Sequence, residues 1–314
     1  DMMKRDDRDH WIKARCDELL KLKDSWHYCE SSKAVDCRPV RVHTMYVLKR
    51  HADGSVDRYK CRMVLDCGKM TKKDVGETFQ HVAEMDSLHF MCAHAAQFDL
   101  VCVQTDIEGA FLNGTPPTKM YCYPPDGERA PIGKNGRPMI KCVTGNIYGR
   151  LDAPRVYGQC YDKHLQCFPS NHTGRGEMSC TTVLTRGTAD HSTWHFVREY
   201  ADGTIRRLDM LVYVDDNLST FKNDPRGWQL HRDICDHVNL KFKIQSDENG
   251  KRYGSEAHSF LGCNILRNWK QRTIALSMPA KIDALLEVAG MTNCNPSATV
   301  GVPKAILRYD HCPK

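Results

Sequence analysis

The sequence predicts an α+β fold organised around an antiparallel sheet, and three observations predict it. Strand-like and helix-like runs alternate irregularly, not as repeated strand–helix–strand units. Short turn signals, Asp53-Gly54, Asp202-Gly203 and Asp215-Asp216, join neighbouring strands as hairpins do. No stretch of about 18 consecutive apolar residues occurs, which excludes a membrane-spanning helix and leaves a globular chain.

The elements follow in order. Asp9 is placed to cap a first helix with Ile12, Cys16, Leu19 and Leu20 on one face at i, i+4, i+7 and i+8. Val40, Val42 and Thr44 alternate with Arg41, His43 and Met45, so a strand runs on to Leu48. After Asp53-Gly54 the chain returns from Val56 to Leu65. The return strand carries Arg58, Lys60 and Arg62 at period two, so three cations share a face. That face is either a charged strand surface that resists aggregation or a binding surface. Asp86 is placed to cap a helix through Leu88, Met91, Cys92 and Ala95, and Leu100 to Thr105 is an apolar strand that stops at Asp106. Residues 116–138 are rich in Pro and Gly and read as loop and short strands.

A helix is predicted over 153–166, with Pro154 in its first turn, and Asn171 to Gly176 reads as turn. Strands are predicted at 182–184, 193–199, 208–214 and 218–221, with Asp202-Gly203 separating the second and third. Trp228 to Val238 reads as helix, and Phe260-Leu261-Gly262 as the start of a strand. A last helix is predicted over 279–289, with Ile282, Leu285, Leu286 and Ala289 as its apolar face and Gly290 as a left-handed C-cap.

The 314 residues correspond to about two domains or one large multi-part domain. Forty-five basic against 39 acidic residues leave a net charge of +6, which permits a nucleic-acid partner without requiring one. Sixteen cysteines include no Cys-x-x-Cys pair, so neither zinc nor a dithiol redox centre is predicted, and the thiols read as reduced and partly buried. The start, Asp1-Met2-Met3-Lys4-Arg5, lacks the apolar core of a signal peptide, and its lack of an initiating Met reads as a piece of a longer product.

The chemistry lies in carboxylates at strand ends. Asp106 ends the run Val101-Cys102-Val103-Gln104-Thr105, and Asp215-Asp216 lies between Leu211-Val212-Tyr213-Val214 and Leu218. Apolar flanks place that pair at the tip of a tight hairpin against a buried sheet. Singly, each site is also ordinary turn chemistry. Together, at one end of a sheet, three anions repel one another unless a cation joins them. Such a cluster suits hard, oxygen-preferring divalent ions, and two of them roughly 3.5–4 Å apart serve both attacking and leaving oxygens in a phosphoryl transfer.

Tyr213-Val214-Asp215-Asp216 resembles the active-site hairpin of reverse transcriptases, specifically those of copia-type (Pseudoviridae) LTR retrotransposon polyproteins. The run from Asp106 through Ala110-Phe111-Leu112-Asn113-Gly114 resembles that family's first catalytic motif. Tyr148-Gly149 with Asp152-Ala153-Pro154-Arg155 is similar to its next block. The hairpin from Ala52 to Val64, including Arg58-Tyr59-Lys60-Cys61-Arg62, resembles its fingers segment, and Phe260-Leu261-Gly262 its primer grip. These matches run in the same order from about Trp11 to Pro303.

The resemblance implies a right-hand polymerase whose antiparallel palm sheet is flanked by helices. Residues 1–88 and 115–152 would form fingers, 89–114 and 153–262 palm, and 263–314 part of a thumb, making one interleaved unit without RNase H, integrase or protease regions. It implies an RNA-directed DNA polymerase that uses two Mg²⁺ ions, or Mn²⁺ in their place, on Asp106, Asp215 and Asp216. Its partners would be an RNA or DNA template with primer, and dNTPs, with no membrane or zinc; its place would be the cytoplasm, within virus-like particles. Oligomeric state is left open. Lys60 and Arg62 would lie over the incoming triphosphate. Phe111 would stand under the sugar and exclude a 2′-hydroxyl, and Gly149 would let the nucleotide approach the backbone or serve as a plain turn. Lys241 or Lys243 would neutralise the leaving pyrophosphate, and Phe260 to Gly262 would hold the primer end or form a buried strand.

Three departures stand against the family pattern. Leu151-Asp152 replaces Lys-Gln before Ala-Pro-Arg, Leu65-Asp66-Cys67-Gly68 replaces Ala-Lys-Gly, and Gln80-His81 replaces Ser-Pro. Asp152 is expected to bring negative charge near nucleic-acid phosphates and weaken binding. The alternative to an enzyme is a decayed nucleic-acid-binding remnant that keeps the fold.

Overall fold

The computed structural model describes residues 6–34, 38–50, 54–68, 70, 76–172, 180–246 and 253–294. Helix α1 (Arg8–Leu22) leads into β1 (Trp26–Cys29), then the paired strands β2 (Val42–Arg50) and β3 (Val56–Leu65). Helix α2 (Met85–Phe98), β4 (Leu100–Asp106), β5 (Met120–Cys122), β6 (Ile140–Val143) and α3 (Ala153–Gln166) follow. Strands β7 (Asn171–His172), β8 (Cys180–Arg186), β9 (Thr193–Tyr200), β10 (Ile205–Tyr213) and β11 (Asp216–Lys222) precede α4 (Pro225–Asn239). The described chain ends with β12 (Ser255–Glu256), β13 (Ser259–Phe260), β14 (Cys263–Asn268), β15 (Thr273–Ser277) and α5 (Pro279–Val288).

The centre is a seven-stranded antiparallel sheet in the order β12-β4-β11-β10-β9-β8-β7. Side chains alternate across its two faces, so a strand buried on both sides reads as an unbroken apolar run. Val101 and Val103 of β4, with Leu208 and Met210 of β10, pack among Tyr157, Tyr161 and Leu165 of α3 and Leu230, Ile234 and Val238 of α4. Their neighbours Cys102, Leu211 and Leu218 face the other way, onto Leu88, Met91, Cys92 and Ala95 of α2 and onto Phe260, Cys263 and Ile265. The expected α+β class with an antiparallel sheet is therefore what the chain forms. A third core joins Leu22, Trp26, Val42, Met63, Leu65, Met120, Cys122 and Val143. It binds α1 and the β2–β3 ribbon to the small sheet β1-β6-β5. Among the described residues, no helix is long and apolar enough to cross a membrane.

Several expectations need correction. Asp7, not Asp9, occupies the N-cap position of α1, and the helix buries Trp11, Glu18 and Leu22 while Ile12, Cys16 and Leu20 are exposed. The ribbon selects that face. Trp11 meets the rings of Tyr46 and Tyr59 edge-on at 5.6 and 4.6 Å, and Glu18 accepts a hydrogen bond from the Met63 amide at 3.3 Å. Asp86 lies in the first turn of α2, and Glu84 holds the N-cap position.

The first strand of the ribbon runs later than expected, while Val40 makes an isolated bridge to Cys122. Asp53 of the expected turn lies outside the described residues, as does the segment from Thr173 through Gly176; Asn171 is in β7. Helix α5 ends at Gly290, with φ +66°, as predicted, yet Ile282 and Leu285 of its apolar face are exposed among the described residues.

Candidate active site

Asp106 is the last residue of β4, and Asp216 is the first of β11; the antiparallel register sets them directly opposite one another. Tyr213 pairs with Asp216, so Val214 and Asp215 form a two-residue turn. Asp215 is at the tip, and Asp216 already belongs to the ladder. Val214 takes φ +56°, which a β-branched residue adopts only under strain from its surroundings. The Ile107 amide donates to the Asp215 carbonyl at 2.8 Å, tying the strand exit to the hairpin tip. On the other side, the Gln245 amide donates to the Asp106 carbonyl and the Glu108 amide to the Lys243 carbonyl, each at 2.8 Å.

The electrostatics record this crowding. Burial, then Asp215 and Asp216, pushes the Asp106 carboxyl up to about 6, while Lys60 and Arg58 pull it down. Burial also raises Asp216, against a hydrogen bond from Gln104 Nε2 at 3.1 Å. An all-oxygen donor set with excess negative charge fits a hard divalent cation, which would remove the repulsion. Among the described residues, no group of three or more His, Cys, Asp or Glu side chains is drawn together closely enough to hold a metal ion. The site is an open rim of carboxylates set by backbone pairing.

The cations come from the ribbon. Lys60 and Arg58 act on Asp106 from β3, and burial together with Arg62 and Arg58 lowers the Lys60 ammonium. Arg62 lies 5.1 Å from the centre of the Tyr148 ring. Of the two candidate lysines, Lys243 is tied to the strand exit through Glu108, at 2.6 Å, and Glu108 also meets Lys21 at 3.4 Å. Lys241 lies 5.7 Å from the centre of the Phe242 ring. Sequence reasoning gave no role to Glu108 or Gln104, and named Arg58 only within the row of three cations and Tyr148 only within the Tyr148-Gly149 block. For the first two, the signal was spacing: each is two residues from Asp106.

Phe111 sits on a short 3-10 turn, Ala110–Leu112, that follows Gly109 at φ +64°. Its ring meets Tyr148 and Tyr157 edge-on at 6.5 and 6.3 Å. Gly149 has φ +90°, and a side chain there would stand 2.7 Å from the Leu65 amide nitrogen and 2.8 Å from Val64 Cγ1. The close approach that needs this glycine is to β3, whose Leu65 amide donates to the Tyr148 carbonyl at 2.8 Å.

Asp152 does not face solvent. It is fully buried and bonded through both carboxylate oxygens to buried Arg150, each at 2.9 Å, so its expected effect on phosphate binding is overturned. Phe260-Leu261-Gly262 is the tip of a hairpin and not the start of a strand. Leu261 and Gly262, at φ +52° and +76°, turn β13 into β14 while Phe260 anchors the tip in the core beneath Leu211 and Leu218.

The reverse transcriptase (RNA-dependent DNA polymerase) family matches residues 24–303. The chain is 24% identical over 308 residues, 98% of its length, to the retrovirus-related Pol polyprotein from transposon TNT 1-94 of Nicotiana tabacum, and covers 21% of that protein. It is 28% identical over 265 residues, 84% of its length, to the Pol polyprotein from transposon RE1 of Arabidopsis thaliana, covering 16% of it. For transposon RE2 of the same plant the figures are 27% over 248 residues, 77% of the chain and 15% of the relative. The chain thus spans about a fifth or less of these relatives' length. With the paired strand ends and their order along the chain, this match shows that the chain belongs to the reverse transcriptase family, with Pol polyproteins of copia-type retrotransposons as its relatives.

Proposed function

We propose that this chain is an RNA-directed DNA polymerase unit that extends a primer 3′-hydroxyl with dNTPs on an RNA or DNA template. The observation that carries the proposal is the direct opposition of Asp106 and Asp216, with Asp215 at the adjoining turn and the β3 cations Lys60 and Arg58 acting on Asp106. In this reading the seven-stranded sheet with α2, α3 and α4 is the palm, and the ribbon with α1 and the small sheet is the fingers. Strands β14 and β15 with α5 are the described part of a thumb. Helix α2 packs on the sheet through Leu88, Met91, Cys92 and Ala95.

Mg²⁺, or Mn²⁺ in its place, held by Asp106, Asp215 and Asp216, would supply the Lewis acidity that activates the primer hydroxyl and stabilises the departing pyrophosphate. The protein's own part is placement. Arg58, Lys60 and Arg62 offset the triphosphate charge on the open side of the carboxylates. Phe111, braced by Tyr148 and Tyr157, stands under the deoxyribose and leaves no room for a 2′-hydroxyl. Lys243, exposed and held beside the strand exit by Glu108, or Lys241 meets the leaving pyrophosphate. The hairpin tip at Leu261-Gly262 supports the primer terminus from the far face of the same two strands. Template and primer are held through their backbones, without sequence readout.

The test is primer extension on a homopolymer RNA template with a labelled DNA primer, dNTPs and Mg²⁺. Extension that depends on the divalent ion, and disappears in Asp215→Asn while duplex binding persists, is the expected result. A native chain that binds the duplex and adds no nucleotide would sink the proposal.

A further inference from the structure

We propose that Glu108 is a positioning residue for pyrophosphate release, acting through two lysines that share its carboxylate, Lys21 of α1 and Lys243 beside the strand exit. One carboxylate oxygen meets Lys21 Nζ at 3.4 Å and the other meets Lys243 Nζ at 2.6 Å. Resting on the polymerase reading, this role brings α1 into the chemistry and gives a fourth carboxylate a task other than metal binding.

Backbone pairing sets the arrangement. Ile107 and Ile244 form an isolated antiparallel bridge, and the Glu108 amide donates to the Lys243 carbonyl at 2.8 Å. Ile107, Phe242 and Ile244 are buried in the core beneath the sheet, so the side chains that alternate with them, Glu108 and Lys243, turn outward. Asp106 and Glu108 flank Ile107, which puts both carboxylates on the side of the strand exit away from that core. Burial and then Glu18 raise the Tyr148 hydroxyl, and Asp215 and Glu108 add to the shift, so Glu108 and the hairpin tip act on one group. Lys21 likewise adds to the lowering of Lys60 that burial and the ribbon arginines cause.

The bridges are placed firmly but held loosely. The side chains of Glu108, Lys21 and Lys243 are 35%, 49% and 76% exposed, and ion pairs so open to water add little stability and exchange partners readily. Two bare ammonium groups would retain a polyanion, whereas one carboxylate between them cancels half of their charge. Pyrophosphate, with several negative charges, draws the lysines from Glu108 as it forms, and Glu108 takes them back as it leaves. Slow product release limits many enzymes, so a competing carboxylate at this place protects kcat.

Inorganic pyrophosphate is the probe, titrated calorimetrically into the full chain in low-salt buffer with Mg²⁺. Glu108→Gln should bind it about fivefold tighter, and Lys21→Met and Lys243→Met each about fivefold more weakly. Glu108→Asp, which keeps the charge, should stay near the native affinity. In a triple variant lacking both lysines, Glu108→Gln should no longer tighten binding. Circular dichroism checks that each variant folds. A purely structural Glu108 would give weaker or unchanged binding in Glu108→Gln, and either result overturns the proposal, as does tightening that persists without the lysines. In primer extension, Glu108→Gln should lower kcat, leave the KM for dNTP no higher, and make pyrophosphate a stronger inhibitor. Tighter binding with an unchanged kcat overturns the release role. The expected binding changes in a chain that never extends a primer keep the shared-lysine site and overturn the polymerase reading instead.

Discussion

Asp106 and Asp216 face each other across neighbouring antiparallel strands, each at the end of its strand and each with its carboxyl shifted upward by burial and like charge. Two half-buried anions in this position cost the free protein stability, a pattern common where a site is built for a ligand and not for the fold. Replacing Asp106 by Asn should therefore stabilise the chain in divalent-free buffer by about 1 kcal/mol once solvent screening is allowed for, and raise its melting temperature accordingly. The same variant should lose extension by about a thousandfold or more and lose any Mg²⁺-induced rise in melting temperature. Differential scanning fluorimetry with and without Mg²⁺ checks both halves. An unchanged response to the ion would remove Asp106 from the ligand set.

Phe111→Val should relax sugar selection. With the ring gone from between Tyr148 and Tyr157, the ratio of kcat/KM for a deoxynucleotide over its ribonucleotide should fall by about 10- to 100-fold. Single-nucleotide extension with matched dNTP and rNTP measures it, and an unaltered ratio would take Phe111 out of contact with the sugar.

Gly149→Ala should destabilise the chain by about 2–4 kcal/mol, because φ is +90° and the new methyl would press on the β3 backbone. Gly203→Ala is the control: its φ is +78°, but nothing lies within 4 Å, so only the conformational cost of about 1 kcal/mol applies. Urea unfolding of the two variants should separate them, and equal losses would show that crowding against β3 is unimportant.

Asp152→Asn should also destabilise, by about 3–5 kcal/mol, since it leaves the fully buried Arg150 guanidinium without its countercharge. Duplex affinity of the folded fraction, and its salt dependence, should not change. A gain in affinity would mean that Asp152 reaches the nucleic acid after all.

The pH profile of stability has an acid limb to which the buried His231 contributes. Burial lowers His231 from 6.5 to about 4, and it lowers His164 as well. A histidine with a depressed folded pKa favours the fold when neutral, so its stabilisation is complete above 6.5 and is lost as pH falls from there towards 4. For His231 the loss amounts to about 3 kcal/mol. His231→Gln, whose amide can still donate towards the Tyr253 carbonyl that His231 Nε2 meets at 2.8 Å, should flatten that limb. Urea titrations at pH 7.5, 5.5 and 4.5 compare the two, and identical slopes would exclude His231 as the titrating group.

Much of this architecture is legible residue by residue. Helix α3 has the predicted bounds because a Pro in the first turn and an amphipathic run of tyrosines and Leu165 agree on them. The hairpin around Asp202-Gly203 follows from turn chemistry between alternating strands, whereas the expected Asp215-Asp216 tip lies one residue earlier, at Val214-Asp215. What fails is whatever depends on a distant partner. The buried face of α1 is chosen by two tyrosines of the ribbon, and the role of Asp152 by the burial that tertiary packing imposes on it together with Arg150. For the site, strand ends point to the three aspartates, but only tertiary pairing brings β4 beside β11 and Lys60 within reach of Asp106.

The pairing of β4 with β11 also governs when the site can exist. Gln104 and Asp216, bonded across that pair, are 112 residues apart, so the contact closes a long loop and forms late in folding. During synthesis, β4 emerges and waits with both edges bare until β11 and then β12 arrive to cover them. Through that interval a nascent chain is exposed to misassembly, and a copy truncated before Asp216 would be an aggregation hazard with no carboxylate rim.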